Sequence, residues 1–402
     1  MEIIELTKIN RCFIKNRIFR SATYEGMCDL EGIPLPEYIK YYEKLAKSSV
    51  GAIITGFSYV SKEGKSIQQR QSAIDEEKMI HHFSLVTDKV HNYGCRIFIQ
   101  LSHAGRQTRK INTGFKVYGF SNKKSFYFNE KPMILNKDLI KFIVKKFGES
   151  AFYAKKAGFD GIQIQSGHGY LVHQSILSSI NNREDEFGVD INTKIGINFL
   201  SMIIDEIREK CGEYFPILVK ISSDDDYFNS FSKQQFTNLI KFLDSKEVDA
   251  IEISNGTMDF ALNIFRGGVP LKTIMKYNPI LKYSPNMVNN MKSAVLLPFL
   301  KSKIKSFKPV YNLEYAKIAK SLTKIPIICV GGFRSETEIF DAITNNYCDY
   351  VSLSRPFICE HDFVEKIIDF KGYQSKCTNC NMCAVMCDSG KPTKCYLEET
   401  EK

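Results

Sequence analysis

The chain has 402 residues, 44% of them apolar, so it can bury a sizeable core in one large domain or in two or three smaller ones. No apolar run is long enough to cross a bilayer and the N-terminus lacks the features of a signal peptide, so we expect a cytoplasmic protein with no membrane partner. The lysines behind the formal charge of +10 alternate with apolar positions on predicted helices, which indicates solvated helix faces and not a nucleic-acid partner.

Eight short runs of β-branched and other apolar residues alternate with helical stretches along the chain. The predicted strands are Arg17–Ser21, Gly51–Thr55, Arg96–Leu101, Gly161–Gln165, Ile217–Ser222, Ala250–Ser254, Pro326–Val330 and Tyr350–Ser354. Helical spacing covers Lys137–Ala157 and Ile195–Arg208, and Ser335 with Glu338 predicts a capping box after the seventh strand. Polar residues end nearly every strand, which favours an α/β fold of the (β/α)8 TIM-barrel type over a doubly wound open sheet.

Two connections between the predicted strands are long, residues 102–136 after the third strand and residues 255–312 after the sixth. In a barrel we expect both to rise above the catalytic face as lid or wall elements. After Gly372 the sequence becomes rich in cysteine. We therefore predict a barrel over residues 1–372 and a short cysteine-rich, metal-binding tail over residues 373–402.

The predicted tail holds five of the twelve cysteines of the chain. Two successive C-x-x-C steps place Cys377, Cys380 and Cys383 around one small volume. Either Cys387 or Cys395 can supply a fourth thiol. In the cytoplasm such a group predicts a metal site and not disulfides, and zinc and an iron–sulfur cluster both fit the ligands.

The stretch GHGYLVHQ after the fourth predicted strand places His168 and Tyr170 two residues apart at a strand end. Such a pair can face one cavity, with one side chain as a hydrogen-bond donor and the other as an acid. Together with NREDEFG at Asn182–Gly188, this stretch resembles the signature of the Old Yellow Enzyme family of FMN-dependent ene-reductases. The larger relatives of that family include 2,4-dienoyl-CoA reductase, enoate reductase and trimethylamine dehydrogenase. The resemblance extends over nearly the whole chain.

The resemblance implies three catalytic residues. Tyr170 is expected to protonate the α-carbon of the substrate, while His168 and Gln165 hold its carbonyl oxygen. Relatives often have histidine at the position of Gln165. Glutamine can donate one hydrogen bond to a developing enolate oxygen but cannot become cationic, so we expect weaker or differently shaped recognition of simple enones.

The resemblance also implies FMN as cofactor and NAD(P)H as electron donor. The residues that it assigns to FMN are Ser21, Ala22, Thr23, Gly56, Gln100, Lys220, Gly331, Gly332, Ser354 and Arg355. The amide of Gln100 suits the pyrimidine edge of the flavin because it both donates and accepts, and Lys220 supplies a fixed cation beside flavin N1. Gly331 and Gly332 let backbone N–H groups approach a phosphate that Arg355 can bind.

For the tail, the resemblance favours a 4Fe–4S cluster on Cys377, Cys380, Cys383 and Cys395, with Cys387 as a spare that could replace one of the last two. The alternative is a zinc site or an empty knuckle that holds the tail against the barrel. The printed sequence ends at Lys402, soon after this motif. We therefore expect any protein that feeds electrons to the cluster to be a separate chain, unless NAD(P)H reduces FMN directly.

The sequence thus predicts an FMN-dependent oxidoreductase that reduces the activated C=C bond of a small molecule, either an α,β-unsaturated carbonyl compound or an enoyl thioester. One alternative is an amine-oxidising flavoprotein of the trimethylamine dehydrogenase type. A second is an RNA-directed flavin barrel similar to dihydrouridine synthases, which rely on a catalytic cysteine and a separate RNA-binding domain. A third is a non-catalytic redox protein. We also expect a homo-oligomer.

Overall fold

The structure, a computed structural model, describes residues 2–227, 231–278 and 304–397. Eight parallel strands close into a barrel in the order β6-β7-β8-β1-β2-β3-β4-β5. They are β1 (Ile18–Arg20), β2 (Ala52–Tyr59), β3 (Arg96–Ser102), β4 (Gly161–Ser166), β5 (Ile217–Ser222), β6 (Ala250–Ser254), β7 (Ile327–Val330) and β8 (Tyr350–Leu353). Nearly every strand residue is buried, as expected for strands covered on both faces. The predicted (β/α)8 barrel is confirmed, and closure excludes the open sheet.

A long helix lies between each pair of consecutive strands and a last one follows β8. They are α1 (Pro36–Lys47), α2 (Met79–His91), α3 (Lys137–Lys156), α4 (Asn198–Cys211), α5 (Lys233–Ser245), α6 (Leu313–Leu322), α7 (Glu336–Thr344) and α8 (Phe363–Asp369). The predicted capping box begins α7, where the Ser335 hydroxyl accepts from the Glu338 amide and the Glu338 carboxylate accepts from the Ser335 amide. Helix α4 starts later than predicted because Ile195 instead forms a β-bridge with Leu177.

The inside of the barrel changes from apolar to polar along its axis. Phe19, Phe98 and Leu218 pack together at the end where the strands begin. A hairpin of Thr7–Ile9 and Cys12–Ile14 covers this end, with Ile9 and Ile14 in the same apolar cluster. The polar interior side chains lie toward the ends of the strands, which is the face where TIM barrels build their sites.

The described parts of both long connections lie on the side of the barrel where the strands end, as predicted. The connection after β3 contains a short helix, Lys110–Thr113, and the paired segments Tyr118–Gly119 and Met133–Ile134. The one after β6 contains Met258–Phe260, Ala261–Phe265 and Leu271–Tyr277, and its residues 279–303 lie outside the described part. A buried ion pair of 2.7 Å between Arg106 and Asp259 joins the two connections.

The cysteine-rich tail packs on the segment that follows β1. The backbone N–H of Thr393 donates to the carbonyl of Glu25 at 2.7 Å, and its hydroxyl donates to the carbonyl of Tyr24 at 2.6 Å. A helix, Met382–Met386, and a helical turn, Cys387–Ser389, lie between this anchor and the first C-x-x-C step. The tail therefore forms part of the wall at the barrel mouth. The proposed boundary at residue 372 stays a prediction.

Short helices complete the described part of the chain. They are Glu2–Ile4, Lys62–Gly64, Leu171–Ile176 and Arg355–Cys359. Among the helices of the described residues, none combines the length and the apolar character that a membrane span requires.

Candidate active site

Two adjoining cavities open at the ends of the barrel strands. The larger, which we call the main cleft, has an empty volume of about 900 Å³, and the smaller, which we call the side cavity, has about 560 Å³. Nine predicted residues line the main cleft together with residues of the tail, and they are Ala22, Thr23, Gln100, Gln165, His168, Tyr170, Lys220, Ser354 and Arg355. The side cavity is lined by Ser21, Gly331 and Gly332, and the two cavities share five predicted residues, Ala22, His168, Lys220, Ser354 and Arg355. The fold thus gathers twelve of the thirteen predicted barrel residues.

The exception is Gly56, which lines neither cavity in the described part. Strand β2 continues past it to Tyr59, with a register irregularity between Ile54 and Phe57. The Gly56 N–H donates to the carboxylate of Glu25 at 2.6 Å, and a β-carbon at Gly56 would meet that carboxylate. Its predicted contact with FMN therefore stays a prediction, while its neighbour Phe57 lines the main cleft.

A buried polar network lies beneath the main cleft. The Glu252 carboxylate, at 0% exposure, accepts hydrogen bonds from Ser21 and Gln163, both at 2.8 Å. It also lies 3.2 Å from the Lys220 ammonium, and the Gln100 amide donates to Gln163 at 2.7 Å. One carboxylate thus connects three of the predicted flavin residues.

The charge of Glu252 is stabilised despite its burial. Burial alone would raise its pKa, but Lys220 and the hydrogen bonds from Ser352, Ser21 and Gln163 outweigh that effect and lower the pKa below its ordinary value. Sequence reasoning missed this residue. The sequence could have revealed it, because Glu252 is a carboxylate inside the otherwise apolar strand β6, where an unpaired charge is costly and a partner is therefore expected.

The predicted carbonyl-binding pair is held in place by hydrogen bonds. The Gln165 amide lies 3.2 Å from Nδ1 of His168, and Nε2 of His168 lies 2.8 Å from the Ser254 hydroxyl. Burial, assisted by Lys220 and His173, lowers the pKa of His168 well below 6.5, so the imidazole is neutral. The Gln165 amide and the neutral imidazole are thus uncharged donors, and an incoming oxygen atom would have to take the imidazole N–H from its present partner.

The Tyr170 side chain is 4% exposed and faces the same cleft. Its ring packs against Phe57 with centroids 5.4 Å apart, and Phe57 packs on Tyr24 at 6.2 Å. Burial, with smaller effects from Asp388 and Cys387, raises the pKa of Tyr170 above its ordinary value. The phenol therefore retains its proton until a strongly basic atom comes within reach.

The side cavity is suited to an anion. Gly331 and Gly332 have φ angles of +126° and +87°, and a β-carbon at Gly332 would lie 2.5 Å from the backbone nitrogen of Val310. Arg334 and Arg355 line the same cavity. Arg334 was not predicted, although it follows the glycine pair by two residues. Two cations beside close-approaching backbone fit a phosphate group.

Four of the five cysteines of the tail line a third cavity, with a volume of about 350 Å³. Its lining includes all four predicted ligands, Cys377, Cys380, Cys383 and Cys395, together with Cys359 at the end of the helix Arg355–Cys359. Within the described ranges, no three or more metal-binding side chains are placed closely enough to hold an ion.

Cys387 lies apart from that cavity and lines the main cleft, where its thiol is 3.4 Å from the carbonyl of Cys383. Cys383 lines both cavities. The cysteine cavity and the main cleft are therefore neighbours. Cys359 is distant in sequence from the cysteine motif, so only the fold could reveal it.

Comparison with known proteins identifies the family. Residues 4–264 match the NADH:flavin oxidoreductase / NADH oxidase family. The chain belongs to this family of oxidoreductases, which confirms the resemblance predicted from the sequence.

Several curated relatives match almost the whole chain, among them an NADH oxidase and a cinnamate reductase. The chain is 26% identical over 386 residues to an NADH oxidase of Thermoanaerobacter brockii, covering 96% of this chain and 53% of that protein. It is 28% identical over 375 residues to a cinnamate reductase of Clostridium sporogenes, covering 90% of this chain and 52% of that protein. The chain thus spans about half the length of these two curated relatives.

Solved structures support the fold. An Old Yellow Enzyme homologue from Zymomonas mobilis superimposes with a TM-score of 0.72 at 19% identity, covering 94% of this chain and 96% of that one. A 2-naphthoyl-CoA reductase in complex with 2-naphthoyl-CoA superimposes with a TM-score of 0.82 at 18% identity, covering 98% of this chain and 56% of that one.

Proposed function

We propose that the chain is an FMN-dependent oxidoreductase that takes electrons from NAD(P)H and reduces the activated C=C bond of an unsaturated carbonyl compound or enoyl thioester. The observation that carries this proposal is the convergence of Tyr170, Gln165 and His168 on the cleft that also contains Gln100 and Lys220. An acid, two neutral N–H donors and the predicted flavin residues are the groups that such a reduction requires.

The two cavities fit the parts of FMN. Arg355, Arg334 and the backbone of Gly331 and Gly332 suit the phosphate, because they combine positive charge with close-approaching N–H groups. Lys220 would lie beside the ring system, where a fixed cation stabilises the negative charge that a flavin acquires on reduction. Glu252 holds Lys220 from below.

The side chains divide the work of the reduction. When bound, FMN supplies the hydride that adds to the β-carbon of the substrate. The Gln165 amide and the neutral His168 ring donate hydrogen bonds to the carbonyl oxygen, where negative charge develops. Tyr170 gives its proton to the α-carbon, so one hydride and one proton complete the saturated product, and solvent restores the phenol.

We further propose that Cys377, Cys380, Cys383 and Cys395 hold a 4Fe–4S cluster, with zinc as the alternative. The support is the shared cavity of the four thiols and its position next to the main cleft through Cys383. A cluster there would lie on a route for electrons between an electron donor and FMN.

The test is an anaerobic absorption spectrum of purified protein, with iron and zinc quantified on the same sample. We expect flavin bands, a broad iron–sulfur shoulder and about four irons per chain. Replacing Cys377 and Cys380 together by alanine should remove the metal and leave FMN bound, while replacing Cys12, which lies outside the tail, should change neither. Stoichiometric zinc would support the structural alternative, and absence of flavin after reconstitution with FMN would overturn the main proposal.

Substrate-driven reduction separates this proposal from amine oxidation. NADH or NADPH should bleach the flavin bands under anaerobic conditions. Bleaching by an N-methylated amine, with no response to either nicotinamide, would favour the amine-oxidising alternative.

A further inference from the structure

The tail brings a carboxylate into the main cleft. Asp388 lies in the turn Cys387–Ser389 and lines the cleft together with Tyr170. One carboxylate oxygen accepts a hydrogen bond of 2.6 Å from the Gln68 amide, and the other accepts one of 3.4 Å from the Tyr127 hydroxyl. These two neutral donors hold the carboxylate in position without neutralising it.

Asp388 has no cationic partner in the described part of the chain. Lys220 and Arg355 are the lysine and arginine that line the main cleft there. Lys220 is paired with Glu252, and Arg355 donates to the Asn381 side chain at 2.7 Å and shares the side cavity with the glycine pair. With FMN in its proposed place, both cations would serve the cofactor, and Asp388 would be the charged side chain of the cleft left to face the substrate.

The carboxylate and the proposed carbonyl-binding groups reach the main cleft from different elements, Asp388 from the tail, Gln165 from β4 and His168 from just after that strand. His168 lines both cavities, whereas Asp388 lines only the main cleft. The main cleft is also lined by Tyr24, Phe57 and Tyr170, whose aromatic rings pack in series. A flat substrate whose carbonyl group meets His168 would therefore direct its remote end toward Asp388.

We propose that Asp388 is a specificity-determining residue that disfavours substrates with a negative charge at the end remote from the carbonyl group and admits uncharged or cationic ones. This inference rests on the proposed function and names the substrate class of the same site. Like charges in a partly buried cleft repel strongly because little water screens them, so one carboxylate can reject an anionic analogue of unchanged shape.

The test uses substrates that carry the same reacting group and differ only in remote charge. We would compare cinnamaldehydes with a para-carbamoyl, a para-carboxylate or a para-trimethylammonio group, measuring kcat/KM at pH 8. The carbamoyl compound should exceed the carboxylate by roughly tenfold or more in the unaltered protein, as expected for one repulsive charge in a partly screened cleft. Asp388→Asn should bring the two within about threefold of each other, because the amide keeps the shape and loses the charge.

Tyr127→Phe is the matched control, because it removes a hydrogen bond to Asp388 but keeps the charge. This variant should retain the discrimination. An unchanged ratio in Asp388→Asn would overturn the inference. If none of the aldehydes is reduced, the proposed function fails, and binding of the carbamoyl and carboxylate compounds, followed by perturbation of the flavin absorption, still tests Asp388 separately.

Discussion

Tyr170 and Glu252 show how neighbours decide what a side chain can do. Burial raises the pKa of the Tyr170 phenol, and this suits an acid that must keep its proton until the substrate accepts hydride. Burial would likewise favour the neutral form of Glu252, yet Lys220 and three hydrogen bonds keep it ionised. Burial therefore keeps Tyr170 protonated, whereas the partners of Glu252 keep that carboxylate ionised.

Replacing Tyr170 by phenylalanine removes the proposed proton donor and preserves the ring that packs on Phe57. We expect reduction of the unsaturated substrate to slow by about 100-fold or more, a typical contribution of a general acid. Reduction of the flavin by NAD(P)H should be unchanged, since it does not use the phenol. Stopped-flow measurement of the two half-reactions distinguishes them, and an equal loss in both would remove Tyr170 as the donor.

Replacing Glu252 by glutamine leaves the Lys220 ammonium buried without its counter-charge. We expect a loss of about 3–5 kcal/mol in the free energy of unfolding, the usual cost of breaking a buried ion pair from one side. Denaturant unfolding measures it. Glu77→Gln, which makes the same change at an exposed position of the turn before α2, should cost almost nothing. Similar losses in the two variants would show that the network under the cleft is not stabilising.

The loop after β7 packs so closely against a neighbouring segment that it leaves no room for a side chain at Gly332. Its two glycines adopt positive φ angles, and the segment around Val310 lies directly against Gly332. A side chain there must move either that segment or the loop. Both movements would disturb the backbone that we assign to the phosphate.

Gly332→Ala should therefore weaken FMN binding by roughly tenfold or more, because it combines a strained φ with a steric clash. Gly372→Ala is a matched control, since its φ is +75° but a β-carbon there would meet nothing within 4 Å. The control should lose about 1 kcal/mol of stability and bind FMN normally. Titration of flavin-free protein with FMN measures both. Normal binding by Gly332→Ala would argue against this phosphate site.

At the scale of elements, the sequence predicted best those features that depend on a short local pattern of residues. The alternation of apolar strands with helices predicted all eight barrel strands, and the capping box at Ser335 predicted the start of α7. The C-x-x-C steps predicted that the cysteines would gather, but not that the tail would bring Asp388 into the cleft. That placement depends on contacts between segments far apart in the chain, such as Gln68 with Asp388.

Glu252 eluded prediction for a related reason. Its partners come from four different strands or strand ends, and no local pattern shows which strands face each other across a barrel. The departure at Gln165 shows the opposite case. Because glutamine cannot carry a positive charge, the sequence alone excluded two cations at the carbonyl-binding position. The structure adds that burial lowers the pKa of His168, so this ring is neutral as well.

Buried histidines give the whole molecule a dependence on pH. His103 and His173 are each 1% exposed, and each accepts a backbone N–H at Nδ1, from Gly105 and Gly169 respectively. Burial lowers the pKa of His103 to about 4 and that of His173 to about 3. Both rings are therefore neutral in the folded protein at pH values where the unfolded chain takes up protons.

The free energy of unfolding should thus be largest above pH 6.5 and should fall as the pH is lowered from there toward 4. Between those values the unfolded state binds more protons, and each histidine contributes up to about 1.4 kcal/mol per pH unit. Denaturant unfolding at several pH values measures this slope. His173→Gln should reduce it and His81→Gln, at an exposed position of α2, should not. A slope unaffected by His173→Gln would contradict the assignment.

The central claim is tested most directly by one anaerobic turnover. The protein would be reduced with NAD(P)H, freed of excess nicotinamide and mixed with an uncharged unsaturated aldehyde such as para-carbamoyl cinnamaldehyde. We predict that the flavin bands return and that one equivalent of the saturated aldehyde forms per flavin. Flavin that stays reduced, or that is reoxidised without saturated product, would contradict the assignment of this cleft to C=C reduction.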